Sequence, residues 1–299
     1  MSSWTTRTRK KLSRSFLVLF SRLTSFFARM LPYRLAVASG GMLGFCAYYL
    51  LTRERTRAIT HISSAFPERG AIWAKQIAHR TFIHLGKSLL EVMTIDPRRL
   101  QTDVTFNGWE RVVAAVGQGK GVVFVTGHIG NWEIMGGAVA AKYSVSVVAA
   151  PIEPEPVNDM IVQMRAGIGV RTILRSRKGA AKELIRVFRE NRILGILIDQ
   201  DTDVEGAFVD FMGRPAWTPT AAAQMAIKFG APVLFGYDQR GSDGRHTITI
   251  EGPLELTRSG NDEDDIRTNT AMFTKKIENT IVQNPEQWVW MHRRWRRQP

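Results

Sequence analysis

His128 and Glu133 are the pair in this chain whose types and spacing most directly offer chemistry. A carboxylate that takes the proton on one imidazole nitrogen leaves the other nitrogen as a base, the orienting logic of a catalytic dyad. Five positions along a continuous helix amount to about 500°, so the two side chains would diverge by about 140°. They meet only if His128 precedes a helix and Glu133 lies in its first turn. Gly127 and Gly130 allow the chain to fold back in that way. The alternative is that His128 caps the helix and Glu133 complements its dipole.

The elements around the pair suit the first reading. Residues 121–126 read as a buried strand, and the pattern breaks at Gly127. Asn131 is a good N-cap for a small-residue helix over 131–142. His128 is therefore expected just past the carboxyl end of a strand, where open α/β sheets hold their ligands. Apolar runs at 121–126, 145–150, 193–198 and 232–237 alternate with helical stretches near 108–118, 131–142, 155–167, 178–190 and 218–229. This alternation predicts an α/β fold with a mostly parallel central sheet flanked by helices. Residues 245–251 add a strand and 263–283 a last helix.

Ahead of this domain the composition changes. The formal charge is +14, and no acidic residue precedes Glu54. Such asymmetry points to an anionic partner. Residues 14–31 place Phe16, Leu19, Phe20, Leu23, Phe26, Phe27, Met30 and Leu31 on one broad helical face, with arginines and serines opposite. That is the pattern of a basic amphipathic helix in a membrane interface, with a core or partner-binding helix as alternatives. Residues 35–52 carry no charge between Arg34 and Arg53 and read as a monotopic or re-entrant helix, with a true span as the alternative. The expected organisation is membrane-associating helices over 1–53 and an α/β domain over 54–299, with a helical lead-in at 54–100. Within the lead-in, His84 and Glu91 share a helical face, which ordinary packing also explains. Cys46 excludes an intrachain disulfide and reads as a small core residue.

Three further segments combine polar chemistry with turn residues. Asp199-Gln200-Asp201 ends the strand 193–198. Phe208 to Ala223 reads as a loop leading into a helix capped by Thr218 or Thr220, a natural anion or oxyanion site. Pro285 to Trp295 crowds tryptophans and arginines, with a tryptophan core and a solvated arginine tail as the structural reading.

Together with His128 to Glu133, these segments resemble the bacterial lipid A biosynthesis acyltransferases, the late lauroyl and myristoyl transferases of the lysophospholipid acyltransferase superfamily. The family's His-x4-Glu block matches His128 to Glu133, and its Asp-Gln-Asp block matches Asp199 to Asp201. Its Phe-x-Gly-Arg-Pro-x-x-Thr-Pro-Thr block matches Phe211 to Thr220, and Pro-Glu-Gln-Trp-x-Trp matches Pro285 to Trp290. Ile129 stands where these enzymes commonly carry phenylalanine, and 151–157 lack the usual arginine and Asn-Pro signature. This leaves another glycolipid, a lysophospholipid or an aminolipid open as acceptor beside a lipid A precursor.

The resemblance implies transfer of a fatty acyl chain from acyl carrier protein or acyl-CoA to a lipid hydroxyl, at the cytoplasmic face of the bacterial inner membrane. No metal and no other cofactor is implied. In this reading His128 is the general base, Glu133 fixes its tautomer and Asn131 helps stabilise the oxyanion. Arg165 and Arg214 meet substrate phosphate, and Asp199 orients one of these arginines. The competing classes are weaker. An α/β-hydrolase esterase needs a Gly-x-Ser-x-Gly elbow, which is absent, and Gly86-Lys87-Ser88 has Thr81 where a Walker loop requires glycine. A basic membrane- or nucleic-acid-binding protein without catalysis is the reading from another class, and the greasy Phe-rich face argues against nucleic acid.

Overall fold

The computed structural model describes residues 15, 18, 19 and 21–299. Phe16, Phe20 and the basic residues from Arg7 to Arg14 lie outside the described residues, so the expected amphipathic helix is seen only in part. It begins with α1 (21–30), α2 (Tyr33–Leu50), α3 (Thr52–Ala65), α4 (Gly70–Met93) and the short α5 (Arg99–Thr102). An α/β succession follows: β1 (Val104–Asn107), α6 (Trp109–Val116), β2 (Val122–Thr126), α7 (Trp132–Ala140), β3 (Val145–Ala149) and α8 (Glu155–Gly167). Next come β4 (Val170–Leu174), α9 (Ala180–Arg189), β5 (Ile193–Leu197), β6 (Gly206–Phe211) and β7 (Arg214–Pro219). The chain closes with α10 (Ala221–Phe229), β8 (Val233–Arg240), β9 (His246–Glu251) and α11 (Asp262–Gln283).

Seven strands form the main sheet in the order β1-β9-β8-β2-β5-β3-β4. Only β8 and β9 pair antiparallel; every other neighbouring pair is parallel. The expected mostly parallel sheet flanked by helices is present. Alternation along β2 divides the core: Val123 and Val125 belong to one cluster with Ala78 and Phe82 of α4, Ala222 of α10 and Phe273 of α11. Val122 and Phe124 belong to the other, with Val112 of α6 and Ile134 and Ala138 of α7.

Three features differ from the sequence reading. Strand β1 alternates Val and Phe with Thr and Asn, and β4 is interrupted by Arg171 and Thr172, so neither gives a continuous apolar run. The stretch read as a loop is largely the β6–β7 hairpin, in which Phe208 opposes Trp217. Met212 and Gly213 turn it with φ of 55° and 71°, the backbone of a two-residue hairpin turn. Its Pro215 and Pro219 read as turn formers, yet a two-stranded ribbon has edges that tolerate proline. Cys46 is exposed and is not a core residue.

Helix α2 has an inverted distribution of side chains. Its buried positions are Ala36, Gly40, Gly41 and Gly44, whereas Leu35, Met42, Leu43, Phe45, Tyr49 and Leu50 are exposed. The glycines allow α2 to lie almost backbone to backbone on α4. A Cβ on Gly44 would fall 2.1 Å from the Phe82 carbonyl oxygen, and one on Gly86 of α4 would fall 2.1 Å from the Gly40 carbonyl oxygen. Close crossing through small residues is how helices associate where surrounding lipid is as apolar as their side chains. Among the described residues no single helix is long and apolar enough to cross a membrane. The pair α2 and α3 qualifies only jointly and bends by 91° between them.

Gly44→Val should therefore force α2 off α4. We expect a loss of about 1–3 kcal/mol or more from overpacking, read as a lowered melting temperature and new protease cleavage near 51–52. Unchanged melting and cleavage would show that the crossing tolerates a larger side chain.

Candidate active site

Strands β2 and β5 are parallel neighbours with Thr126 opposite Leu197. Two residues beyond that level, the chain places His128 and Asp199 side by side at the carboxyl edge of the sheet. The His128 Nδ1–H donates to Asp199 Oδ1 at 2.7 Å, and the His128 backbone N–H donates to Oδ2 at 2.7 Å. Trp288 Nε1–H donates to the same Oδ2 at 2.7 Å. Asp199 is 2% exposed. Burial alone would raise its pKa, but the neighbouring His128 and these hydrogen bonds outweigh it and hold Asp199 at about 2. With Nδ1 protonated, Nε2 of His128 is the basic nitrogen.

The orienting partner is thus Asp199 and not Glu133, and Asp199 does not orient an arginine. Glu133 lies in the first turn of α7, as expected, but it is clasped by Arg165 of α8. Arg165 Nε bonds Glu133 Oε2 at 2.9 Å and Oε1 at 3.1 Å, and Nη2 bonds Oε1 at 2.5 Å. The fork fixes both side chains and leaves Nη1 without a protein partner among the described residues. Glu133 also accepts from Trp132 Nε1 at 3.2 Å, and the Trp132 ring meets His128 edge-on with centroids 4.8 Å apart.

Two cavities meet at this cluster. One, of about 470 Å³, enters between β3 and β5. These strands pair only from Val145–Val147 to Ile193–Gly195 and then part, so Val148, Ala149, Ile196 and Leu197 line it. The other, of about 670 Å³, runs between α1, α4 and α8 past Ser21, Leu85, Leu89, Val92, Met160 and Met164. Both are walled mostly by apolar side chains, and both include His128, Trp132, Glu133, Ile152 and Arg165.

Residues 130 and 131 rest on a buried ionic network. Asn131 caps α7 through Oδ1, which accepts from the Ile134 N–H at 3.3 Å. Its own donors are committed: Nδ2 to Glu91 Oε2 at 2.9 Å and Ser88 O at 3.4 Å, and the backbone N–H to Asp238 Oδ2 at 2.7 Å. The oxyanion role expected for Asn131 has no donor left to serve it. The Gly130 N–H is likewise taken by the Gln287 carbonyl at 2.9 Å. Glu91 is forked by Arg240, with Nε 2.9 Å from Oε1 and Nη2 on Oε2. Arg240 Nη1 donates to His84 Nδ1 at 2.7 Å, so His84 is neutral and its Nε2–H faces the Gly130 carbonyl at 3.1 Å. His246 has carboxylates on both ring nitrogens, Asp238 at 2.9 Å and Glu91 at 3.4 Å, and so both nitrogens donate. His84 and Glu91 are therefore joined, through Arg240. Arg240, Asp238 and His246 escaped the sequence reading. The available signal was His246 in the buried phase of its strand, in step with Ile248 and Ile250.

The remaining segments lie around this core. Arg214 lines neither cavity; its guanidinium stacks over Trp295 at 4.8 Å. Neither Thr218 nor Thr220 makes a side-chain cap for α10, and Thr218 Oγ1 instead binds Ala216 O and Arg294. The arginine run is a solvated tail only in part: Arg293 and Arg296 are exposed, but Arg294 and Arg297 are anchored. Arg294 is fully buried, 2.6 Å from Thr218 Oγ1 and stacked over Phe211, and Arg297 N–H donates to Asp201 Oδ2 at 2.9 Å. Among the described residues no group of three His, Cys, Asp or Glu could hold a metal ion.

The family described as bacterial lipid A biosynthesis acyltransferase matches residues 6–297. The chain belongs to that family. A lipid A biosynthesis lauroyltransferase of Escherichia coli K12 is 24% identical over 276 residues, 90% of this chain and 88% of that one. A lipid A biosynthesis acyltransferase of Haemophilus influenzae is 23% identical over 268 residues, 87% and 81% of the two chains. A phosphatidylinositol mannoside acyltransferase of Mycobacterium tuberculosis is 24% identical over 217 residues, 70% of this chain. The match spans just under two thirds of that relative, 66% of its length.

The buried network predicts a stability maximum near pH 6.5. Burial would lower the pKa of His246, but hydrogen bonds to Asp238 and Glu91 raise it to about 9. A raised histidine stabilises fully below its unfolded value near 6.5, and the contribution is lost as pH rises through 9. His84 is lowered to about 3 by burial and by Arg240, so the unfolded chain binds that proton first and stability falls as pH drops below 6.5. Glu91, held at about 2 against burial by His246 and Arg240, adds a loss between about pH 4.5 and 2. In His246→Gln the alkaline limb, on the order of 3 kcal/mol, should flatten in calorimetric melts across pH. An unchanged alkaline slope would remove His246 as its origin.

Proposed function

We propose that this chain is a membrane-associated O-acyltransferase. It moves a fatty acyl chain from a thioester on acyl carrier protein or coenzyme A to a hydroxyl of a lipid acceptor, a lipid A precursor or a related glycolipid. The observation that carries this reading is His128 at the junction of two apolar cavities, with Nδ1 fixed by a buried carboxylate. In the proposed step His128 Nε2 takes the proton of the acceptor hydroxyl while its oxygen attacks the thioester carbonyl. The tetrahedral intermediate collapses, the carbon–sulfur bond breaks, and the imidazolium returns the proton to the leaving thiolate. Asp199 holds the ring and offsets its positive charge during the step. Arg165, anchored by Glu133, offers Nη1 to an acceptor phosphate or to the developing oxyanion.

One cavity would take the acyl chain and the other the apolar part of the acceptor. The mannoside acyltransferases among the relatives support a glycolipid as the acceptor. Membrane association is supported by the exposed apolar faces of α1 and α2, including Leu23, Phe26, Phe27, Leu35 and Leu50. The second cavity borders α1 at Ser21, Ser25 and Arg29, so a lipid would enter beside that surface. The proposed location is the cytoplasmic face of the bacterial inner membrane, where the thioester carriers are found.

His128→Ala should lower acyl transfer by about 10²–10⁴-fold with an unchanged circular dichroism spectrum. Near-normal turnover in a folded His128→Ala protein ends this mechanism. Glu133→Gln should be milder, because an amide still holds Arg165 through its oxygen. For the membrane, Phe26→Asp with Phe27→Asp should release the full chain from anionic vesicles in a flotation assay. Retention of the double variant would move the membrane contact away from α1.

A further inference from the structure

The turn after β4 and the start of α9 carry Arg175, Arg177, Lys178 and Lys182, all exposed. Their side chains have no ion-pair or hydrogen-bond partner among the described residues. The neighbouring acids are already engaged: Glu183 with Arg171 at 3.3 Å, and Glu190 with Arg192 at 2.5 Å and Arg186 at 3.7 Å. Residues 171–192 hold eight arginines and lysines against two glutamates, so the field there is strongly positive.

This charge is coupled to one cavity and not the other. Arg175 and Leu184 of α9 help wall the cavity that enters between β3 and β5 and contains His128. The Arg175 N–H bonds the Ala149 carbonyl at 3.0 Å, which fixes the basic turn at the edge where those strands part. The cations lining the second cavity are Arg29 and Arg165. Arg165 is ion-paired with Glu133, and Arg29, which gives one N–H to the Met93 carbonyl at 3.1 Å, keeps its charge, so the second cavity has single cations on its wall and not a cluster of unpaired ones.

A ligand suited to this arrangement has an anionic group outside, an extended uncharged arm, and a reacting carbonyl that arrives beside His128. We propose that Arg175, Arg177 and Lys178 bind the phosphate of the phosphopantetheine arm of the acyl donor. The donor then enters from the β4–α9 side and the lipid acceptor from the α1 side, so the two substrates do not share a door. This assignment rests on the acyl-transfer reading above.

The test compares three donors with the same acyl chain: acyl-CoA, acyl carrier protein, and the N-acetylcysteamine thioester, which lacks the phosphate. In the full chain, Arg177→Glu with Lys178→Glu should lower kcat/KM for a phosphorylated donor by about tenfold or more at low salt. The defect should shrink at about 0.5 M salt. Turnover of the phosphate-free thioester and the KM for acceptor should stay near wild type. A defect confined to CoA or to the carrier protein supports the site and identifies which source it serves. Equal loss with all three donors, or no change with either phosphorylated donor, overturns it. Arg175→Gln should weaken the phosphorylated donors in the same direction, with Arg175→Lys restoring part of the loss. Failure of the wild type to use any thioester would count against acyl transfer itself. Calorimetric titration of coenzyme A into the wild type and the double variant then still reports on the phosphate site.

Discussion

The geometry around His128 depends on one buried carboxylate. A charge taken out of water costs several kcal/mol unless its lone pairs are all met. Asp199 receives three hydrogen bonds, one on Oδ1 and two on Oδ2, only when three separate parts of the chain arrive together. Strand β5 must lie beside β2 in the observed register to bring the His128 backbone and ring within 2.7 Å. The C-terminal segment must return to supply the Trp288 indole N–H. Glycine at 127 leaves room for this contact, because a Cβ there would stand 3.0 Å from Asp199 Oδ2 and press on it. The need to satisfy a single side chain therefore ties strand order, chain closure and a glycine to the orientation of one imidazole.

A second buried cluster extends the same logic to the residues that follow. Arg240 and protonated His246 balance Glu91 and Asp238, so the group is neutral as a whole and each member has several partners. Networks of this kind do little for net stability compared with apolar packing, but they specify one arrangement, since any shift strands a charge. What this one specifies is the turn at Gly130 and Asn131. The turn needs a φ of +61° at Gly130, and a Cβ there would fall 2.1 Å from the Asp238 carbonyl oxygen. From the other side, Gln287 accepts from the Gly130 N–H and exchanges hydrogen bonds with the Arg240 backbone. His128 thus stands on a loop held at both ends by buried polar contacts, which suits a group that must keep its place while substrates exchange.

Local pattern carried much of this. The strand, the glycine break and the N-cap placed His128 and Asn131 correctly, because each depends on near neighbours. Asp199 was visible as a residue at a strand end, but its partner was not. That two strands seventy residues apart are adjacent follows from sheet order, which the alternation of helices and strands does not fix. Closeness in sequence pairs Glu133 with His128, whereas the bidentate fork of Arg165 competes better for a carboxylate than a single imidazole N–H. The hairpin at 206–219 was hidden by its prolines. Arg294 read as tail because nothing local tells a solvated guanidinium from one stacked on Phe211 and bonded to Thr218.

The N-terminal helices complete the same physical argument. In a water-soluble helix pair the large apolar residues face inward, since their burial is the main stabilising term. In α2 the glycines face α4 and Leu35, Met42, Leu43, Tyr49 and Leu50 are exposed, while Tyr48 packs edge-on against Phe82 and His79 of α4, so burial of most of the large side chains does not hold the helix in place. Close backbone contact does so, and the exposed outer face is an apolar patch of the kind that marks an interaction surface. The proposed membrane association would cover that face and would set the second cavity, bordered by α1, next to the phase that holds a lipid acceptor. The first cavity opens instead beside the unpaired cations of the β4–α9 turn, where a charged and water-soluble carrier would approach. In the proposed reaction, proton transfer at His128 would take place where an apolar route and a charged one converge, and neither lipid chain would have to cross bulk water to reach it.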